Sequence, residues 1–258
     1  MQERDAVEDG GQLVAELKRI VGGRHVITNP RSMMRFCKGF RSGEGEAIAV
    51  VRPGSLLEYW NVLKACVDAR KIIVMQAANT GLTAGSTPVG TYDRDVVVLN
   101  TTRMDDIQLL NGGKQIVSFP GATLFKLERT LRPLGRVPHS VIGSSSIGAS
   151  VVGGVCNNSG GSLIERGPSY TELALFAQVD KDGQLQLVNH LGIKLGDTHE
   201  AILTRLENGD YAAADMEATN AKASDTDYLQ RIRDIDADTP SRFNNDPGCL
   251  FEASGCAG

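Results

Sequence analysis

The segment from residue 75 to residue 88, called the first loop below, combines small side chains with a position directly after an apolar run. Its sequence is Met-Gln-Ala-Ala-Asn-Thr-Gly-Leu-Thr-Ala-Gly-Ser-Thr-Pro. Small side chains let backbone N–H groups approach a ligand, and successive N–H groups that face one way bind anions. The segment predicts a loop that holds a diphosphate. The alternative is an ordinary turn between two strands.

The glycine spacing of the first loop argues against two common nucleotide motifs. Gly81 and Gly85 are four residues apart, and no Gly-Lys-Ser/Thr follows them. Neither the dinucleotide fingerprint nor the P-loop motif is therefore present.

A second segment poor in side chains runs from residue 143 to residue 161 and is called the second loop. Six of its nineteen residues are glycine. In a helix interior each glycine costs about 1 kcal/mol relative to alanine, so helix stability does not explain them. A backbone pressed against a flat aromatic ligand does, because any β-carbon there would collide with it. The alternative is a helix packed tightly on a sheet.

Few residues qualify for acid–base or metal chemistry. His139 lies beside the second loop, but a structural histidine in a Pro-His-Ser turn is the preferred interpretation, and His190 is a weaker candidate. The catalytic residue is therefore left unknown. The four histidines and five cysteines are dispersed and lack the short paired spacings of zinc sites, so no metal is predicted and a reducing cytosol is expected.

The elements before the first loop follow from apolar spacing. Leu13 to Val21 repeats at helical intervals before two glycines, and Ala47 to Val51 is a short apolar strand. Ser55 and Glu58 form a capping box that opens a helix. Ile72 to Met75 is continuously apolar, which predicts a strand buried on both faces.

Further elements complete an α+β architecture. Strands are predicted at 96–99 and 116–119, a helix at 123–131, and a β-hairpin from 171–179 and 184–188. The acidic stretch 192–238 is expected to be a solvated excursion. We divide the chain into three parts: an N-terminal lead-in at 1–42, the main domain at 43–213, and an acidic excursion with an incomplete return at 214–258.

Composition excludes several partner classes. The net charge is -4, and no Lys/Arg run resembles a nucleic-acid-binding stripe, so nucleic acid is not an expected partner. The acidic N-terminus does not resemble a secretory signal, and no apolar run is long enough to span a bilayer.

The two loops together resemble the FAD-linked oxidase family, also known for its vanillyl-alcohol-oxidase or PCMH-type fold. Within it the chain is most similar to the quinone-dependent D-lactate dehydrogenases. Consecutive residues carry the resemblance over nearly the whole chain, at 37–43, 75–88, 138–145, 147–161, 166–168, 188–193, 233–235 and 254–258.

The resemblance implies a PCMH-type FAD-binding domain of two α+β subdomains, with FAD between them. The implied cofactor-binding positions comprise a first-loop group around the diphosphate and a second-loop group along the rest of FAD. They are Ala77, Ala78, Asn79, Thr80, Gly81, Gly85 and Ser86 in the first loop, and Gly143, Ser150 and Gly160 in the second. Some relatives attach FAD through a histidine in the first loop or a cysteine near the second. The first loop has no histidine and Cys156 is expected to be buried, so non-covalent FAD is expected.

The activity implied by the resemblance is oxidation of D-lactate to pyruvate, with electrons passing through FAD to a membrane quinone. The implied location is the cytoplasmic side of the bacterial inner membrane, bound peripherally through regions that this sequence lacks, while the chain itself is expected to be soluble. Family members continue well past residue 258, so the flavin domain is expected to be truncated at its C-terminal end. Two alternatives stay open: a flavin-binding module without turnover of its own, and an oxidase of another 2-hydroxy acid or an alcohol.

Overall fold

The computed structural model describes residues 2–139, 142–157, 159–161, 165, 169, 171–223, 227–234 and 236. The segments at 166–168 and 254–258 that carry part of the resemblance, together with Cys249 and Cys256, lie outside these residues. The chain divides into two compact units. Unit 1 comprises Met1–Met104, Gln178–Gln186 and Gly196–Asn208, and unit 2 comprises Asp105–Ala177, Leu187–Leu195 and Gly209–Gly258.

Unit 1 combines four helices with four strands. In chain order they are α1 (Gln2–Val21), β1 (Val26–Ile27), α2 (Pro30–Cys37), β2 (Ala49–Val51), α3 (Leu56–Asp68), β3 (Ile72–Gln76), β4 (Val96–Asn100) and α6 (His199–Asn208).

The four strands form one sheet in the order β1-β2-β4-β3. Strands β2, β4 and β3 run parallel, with Val50 beside Val98 and Val98 beside Val74, and β1 is antiparallel to β2. All five residues of β4 are buried, as expected of a central strand covered on both faces. The predicted strand-helix-strand unit is confirmed, but β4 separates its two strands.

The prediction that Ile72 to Met75 is buried on both faces is wrong. In β3 only Val74 and Gln76 are buried, and Met75 is 40% exposed. Strand β3 lies at the edge of the sheet because β4 takes the central position.

Local sequence explains where the helices of unit 1 begin and end. Helix α1 stops at Val21 because Gly22 adopts a positive φ of 82°. The Ser55 hydroxyl accepts a hydrogen bond from the Glu58 N–H (3.0 Å) and caps α3. The Glu58 carboxylate accepts from the Gly54 N–H (2.6 Å), one residue before the cap position that the predicted capping box requires.

The acidic stretch 192–238 is not wholly a solvated excursion, so that prediction is wrong for its first part. Helix α6 packs on α3 and buries Leu203 and Leu206. His199, at the start of α6, lies with its ring 5.0 Å from the ring of Trp60.

Among its described residues, unit 2 contains three helices and a two-stranded sheet. A β-hairpin is divided between the two units, with its residues 178–186 assigned to unit 1. The elements of unit 2 and of this hairpin are β5 (Ile107–Leu110), β6 (Gln115–Ser118), α4 (Leu124–Leu131), α5 (Val151–Cys156), β7 (Leu175–Val179), β8 (Leu185–Asn189) and α7 (Tyr228–Arg233). Strands β5 and β6 pair antiparallel. Thr123 caps α4, whose three leucines are buried with Ala149, so the predicted helix is confirmed.

The predicted hairpin is also confirmed, with β7 bonded to β8. Its turn is closed by the Asp180 N–H, which donates to the Gln184 carbonyl (2.9 Å), while Gly183 adopts a φ of 79°. Both units are thus mixed helix and strand, in agreement with the predicted α+β class. The three-part division at residues 42 and 213 stays a prediction.

Among the residues that the structure describes, none of the helices combines the length and apolar character needed to cross a bilayer.

Candidate functional site

The first loop begins where β3 ends. Strands β2, β3 and β4 are parallel, so the residues that follow them emerge at the same edge of the sheet in unit 1. In open parallel sheets this carboxyl edge is where ligands bind. The topology of unit 1 therefore places the seven predicted first-loop residues at a position suited to a ligand.

Two buried amide side chains fix the start of the first loop. Gln76 donates through Nε2 to the carbonyls of Phe36 (2.8 Å) and Ser86 (2.7 Å). Asn100, at the end of the neighbouring strand, donates through Nδ2 to the Gln76 side chain (3.2 Å) and to the Ala77 carbonyl (2.9 Å). Both are nearly fully buried, at 3% and 2% exposure. This network joins the two ends of the loop.

The side chain of Asn79 organises the middle of the first loop. Asn79 has a φ of 54°, a left-handed conformation that asparagine tolerates better than most residues. It donates to the Lys38 carbonyl (2.8 Å), and its own oxygen accepts from Ser86 Oγ (2.8 Å) and Thr87 Oγ1 (3.1 Å). The side chains of Asn79 and Ser86 therefore hold the loop in shape.

The backbone of the first loop presents unused donors. Within the described part of the chain, no N–H from Ala78 to Ser86 donates to a protein acceptor. Residues 77–92 also contain no Asp or Glu, so no carboxylate within this segment would repel a bound anion. Such a run of free donors without negative charge suits a diphosphate.

The glycines of the first loop differ from those of the segment that packs beside it. A β-carbon added at Gly45 would lie 1.5 Å from the Pro88 carbonyl oxygen, and one at Gly43 would lie 2.8 Å from Ala84. At Gly81 the nearest atom would be Ser86 Oγ at 3.9 Å, and at Gly85 it would be Thr83 Oγ1, also at 3.9 Å. Neither of these two has a positive φ. Protein packing and backbone conformation therefore require glycine at 43 and 45 but not at 81 and 85.

The second loop, in unit 2, consists of a 3-10 helix at Gly143–Ile147 followed by α5. Gly143 begins the 3-10 helix, which no side chain caps. Ser150 is buried, and its hydroxyl caps α5 by accepting from the Gly153 N–H (3.0 Å). Gly160 follows α5, where the chain is held by the Ser159 N–H donating to the Gly154 carbonyl (2.9 Å). The three predicted residues thus lie along one stretch of unit 2.

The glycines of α5 have close neighbours within unit 2. A β-carbon at Gly153 would lie 2.6 Å from Ser150 Oγ, whereas one at Gly154 would meet Ser169 Oγ only at 3.7 Å. The predicted collision with an aromatic ligand is therefore not needed to explain Gly153. That the two loops approach each other stays a prediction.

The candidate bases His139 and His190 and the candidate nucleophile Cys156 all belong to unit 2. His139 is half-buried, and the His190 ring meets Phe176 edge-on at 6.0 Å. Cys156 is half-buried rather than fully buried, and burial raises the pKa of its thiol. Among the described residues, no three His, Cys, Asp or Glu side chains are grouped so as to hold a metal ion.

Sequence reasoning missed Gln76, Asn100 and Thr87, which are all buried in unit 1. The sequence does contain a feature that could have identified Gln76 and Asn100. Two apolar strands, Ile-Ile-Val-Met-Gln and Val-Val-Val-Leu-Asn, each end in an amide side chain. Since buried polar groups need partners, such paired ends predict a shared hydrogen-bond network.

Comparison with known proteins places these loops in a family. Residues 47–188 match the model of a family described as "FAD binding domain". The chain is 59% identical over 251 residues to the quinone-dependent D-lactate dehydrogenase of Escherichia coli strain K12, an alignment that covers 97% of this chain and 44% of that protein. The chain thus spans less than half the length of this relative.

Solved structures show the same fold at low sequence identity. The 4-ethylphenol oxidase from Gulosibacter chungangensis superposes with a TM-score of 0.56 and 18% identity, over 76% of this chain and 37% of that chain. The p-cresol methylhydroxylase superposes with a TM-score of 0.51 and 17% identity, over 77% and 41% of the two chains. The predicted PCMH-type fold is therefore confirmed.

Proposed function

Because the chain belongs to the family of FAD binding domains, we propose that it binds FAD non-covalently, with the first loop of unit 1 around the diphosphate. The observation that carries this proposal is the space beside Gly81 and Gly85. Glycine occurs there although neither the backbone conformation nor a neighbouring protein atom demands it. A ligand that approaches the backbone closely supplies the missing reason.

The residues of the first loop have distinct roles in this proposal. The free N–H groups between Ala78 and Ser86 would donate to the phosphate oxygens. Asn79 and Ser86 would keep those donors in place through their mutual hydrogen bond of 2.8 Å. Ala77 would contribute through its position, since its carbonyl accepts from Asn100. Gly143, Ser150 and Gly160 would line the remainder of the cofactor.

Non-covalent attachment is supported by the composition of the two loops, which contain no histidine and a single cysteine, Cys156. Residues 75–88 contain no histidine. Burial raises the pKa of Cys156, so less of the reactive thiolate is present at neutral pH than for an exposed cysteine. If the protein is denatured with acid, the flavin should stay in the supernatant. Flavin that precipitates with the chain would contradict the proposal.

For the whole protein we propose oxidation of D-lactate with a membrane quinone as the electron acceptor. Support comes from the name of a relative that is 59% identical over nearly the full length of this chain. When bound, FAD supplies the capacity to accept two electrons from a substrate carbon. Peripheral attachment to the cytoplasmic face of the inner membrane belongs to the same proposal, since quinones reside in lipid.

A second candidate is a flavin-binding module that needs further protein to complete its substrate site. It is favoured by the alignment, which covers only 44% of the relative. One experiment separates the two candidates. The purified chain is saturated with FAD, freed of excess flavin, and mixed with D-lactate under anaerobic conditions while its absorption spectrum is recorded.

Bleaching of the flavin band by D-lactate would support the enzyme, and a stable yellow protein would support the module. If another 2-hydroxy acid or an alcohol bleached the flavin and D-lactate did not, the protein would be an oxidase of that substrate. A chain that retains no FAD would contradict both candidates.

The histidine beside the second loop provides a further test. We expect His139→Ala to retain FAD, because a half-buried histidine in a turn contributes to local structure and not to the diphosphate loop. The flavin content per folded protein, measured by absorbance, checks this. Loss of the cofactor would show that the histidine supports the second loop.

A further inference from the structure

Unit 1 contains a cluster of arginines that are not adjacent in the sequence. Arg24, Arg35, Arg52 and Arg103 come from separate segments of the chain, yet their charges act on Arg52 or on the neighbouring His25. Burial is the largest cause that lowers the pKa of Arg52, and the positive charges of Arg35 and Arg103 lower it further. Burial is also the largest cause that lowers the pKa of His25, followed by the positive charges of Arg103, Arg24 and Arg52. We call these four side chains the arginine cluster.

The topology of the sheet brings the cluster together. Arg52 directly follows β2 and Arg103 follows β4, so both emerge at the carboxyl edge of the parallel strands. His25 directly precedes β1, which runs antiparallel to β2, and therefore lies at the same edge. Its carbonyl accepts from the Arg52 N–H at 2.9 Å. The first loop follows β3 at the other end of this edge.

Two members of the cluster are held by specific contacts. Arg103 donates through Nη1 to the Arg52 carbonyl (2.7 Å). It also lies against Gly54, where an added β-carbon would come within 2.4 Å of Nη2. Arg24 donates through Nε to His25 Nε2 (3.0 Å), an arrangement that requires the imidazole to be neutral.

The positive charge of the cluster is incompletely balanced. Glu58 Oε2 lies 3.9 Å from Arg103 Nη1, and Glu207 is close enough that Glu58 affects its pKa. No carboxylate of the described residues pairs with Arg24, Arg35 or Arg52. Three of the four guanidinium groups therefore have no carboxylate partner among the described residues, which leaves the cluster with an excess of positive charge.

One donor of the cluster lacks a partner. The Nε atom of Arg52 is buried and, among the described residues, makes no hydrogen bond. A buried donor without a partner is costly, and a charged one is more so. The site as folded thus has both a charge and a hydrogen-bond donor that an anion would satisfy.

We propose that Arg24, Arg52 and Arg103 form a site for a phosphate group at the carboxyl edge of the unit 1 sheet. Guanidinium groups match the geometry of phosphate oxygens, and a phosphate carries negative charge that would balance the cluster. The phosphate group belongs either to bound FAD or to a separate phosphate compound. The site goes beyond the diphosphate loop, because it follows β2 and β4 and not β3.

The test is calorimetric titration of the chain with inorganic phosphate, both without FAD and after saturation with FAD, with sodium chloride used to keep the ionic strength constant. A chain that retains no FAD is titrated as purified, so failure of flavin binding does not obscure the result. We expect saturable binding, weakened about tenfold in Arg52→Gln because a charge-assisted hydrogen bond is lost. Arg24→Gln should weaken it similarly and is the safer variant for folding, since the hydrogen bond of the Arg24 side chain goes to the adjacent residue His25 and not to a distant part of the fold.

The matched control is Arg94→Gln. Arg94 lies in unit 1, is exposed, and pairs with Asp93 at 3.1 Å, so its loss should leave phosphate binding unchanged. Absence of saturable phosphate binding both without and with FAD, or equal binding by Arg52→Gln and the wild type, would overturn the proposal. An equal weakening in the Arg94 variant would do so as well, since only overall charge would then matter.

The source of the phosphate group is identified by repeating the titration before and after FAD is added. Phosphate binding that disappears on saturation with FAD assigns the group to the cofactor. Binding that persists assigns it to a separate phosphate compound. Either result supports the site.

Discussion

The first and second loops have similar compositions but are held in different ways. The first loop is fixed by side chains: Gln76 and Asn100 form a buried network, and Asn79 bridges the loop. The second loop is fixed by short helices, by backbone hydrogen bonds, and by side-chain hydrogen bonds of Ser145, Ser150 and Asn157 that reach no further than four residues along the chain.

The glycines of the two loops differ in the same way. Some are required because a β-carbon would collide with a neighbouring protein atom, and others have open space where a β-carbon would fit. In the first loop, Gly81 has no protein atom within 3.4 Å of an added β-carbon. In the second loop, Gly153 lies against the hydroxyl that caps its own helix. Composition alone does not distinguish the two cases, because the deciding quantity is the distance to the nearest neighbour.

The largest effect is expected from Gly81→Val. A branched side chain would extend from a backbone that we propose contacts the diphosphate, so FAD retention should be abolished while the fold is kept. Gly81 has an ordinary φ and open space around it, which removes the usual reasons for misfolding. Flavin absorbance and the thermal unfolding midpoint of the same preparation check both parts.

The control for this prediction is Gly11→Val, at an exposed position of α1 where an added β-carbon meets no atom within 4 Å. That variant should keep its flavin. A folded Gly81→Val protein with normal flavin content would rule out the first loop as the cofactor site.

The next largest effect is expected from Gln76→Leu, which tests whether side chains hold the first loop. The carbonyls of Phe36 and Ser86 would lose a buried donor, so the free energy of unfolding should fall by about 2 to 4 kcal/mol. FAD affinity should fall with it. Urea unfolding and flavin titration measure the two effects. Gln12→Leu, at an exposed position in α1, should change neither.

Elements with a strong local pattern could be predicted from the sequence. The helix at Leu124–Leu131 was predicted because three leucines repeat at helical spacing behind a threonine cap. The helix after Ser55 was predicted for the same reason, although its capping carboxylate bonds one residue earlier than expected. These features depend on neighbours within four residues, which a single sequence displays.

Features that depend on distant neighbours could not be predicted in this way. The exposure of β3 follows from the insertion of β4 between β2 and β3, which no local pattern encodes. Helix α6 was missed because its acidic surroundings outweighed two leucines that pack on α3. Within the site, the glycines could be located from composition, but the amide network could not, because it joins residues 24 positions apart.

A smaller effect tests how the second loop is held. Gly153→Ala would place a β-carbon 2.6 Å from Ser150 Oγ and disturb the cap, so it should destabilise the protein by about 1 kcal/mol, as expected for a lost cap. In a Ser150→Ala background the same change should cost less, because the clash is gone. Gly154→Ala is the control, since its nearest neighbour is 3.7 Å away. Equal effects at 153 and 154, measured by thermal unfolding, would contradict this account.

The smallest effect concerns the hairpin turn, which resembles the first loop in being held by a side chain. The Asp180 carboxylate accepts from the N–H groups of Gln184 (2.8 Å) and Asp182 (2.9 Å) and from the Gln186 side chain (3.1 Å). Chiefly through the Gln184 N–H, these bonds lower the pKa of Asp180 below its usual value, although partial desolvation opposes them. The folded pKa is thus lower than the unfolded one, so the stabilisation is present above the unfolded pKa and is lost as the pH falls through the folded pKa.

We therefore expect the amide resonances of Gly183 and Gln184 to shift in acid, and Asp180→Asn to abolish that shift. The second loop contains no Asp or Glu between residues 143 and 161, so its amide resonances should not respond over the same range. If the turn resonances did not change in acid, or the second-loop resonances changed equally, the Asp180 carboxylate would not be what makes the turn sensitive to pH. The amide resonances of the turn and of the second loop are recorded in the same spectrum of the same sample. A change in the overall stability of the protein would therefore affect both, whereas a local effect of Asp180 would affect the turn alone.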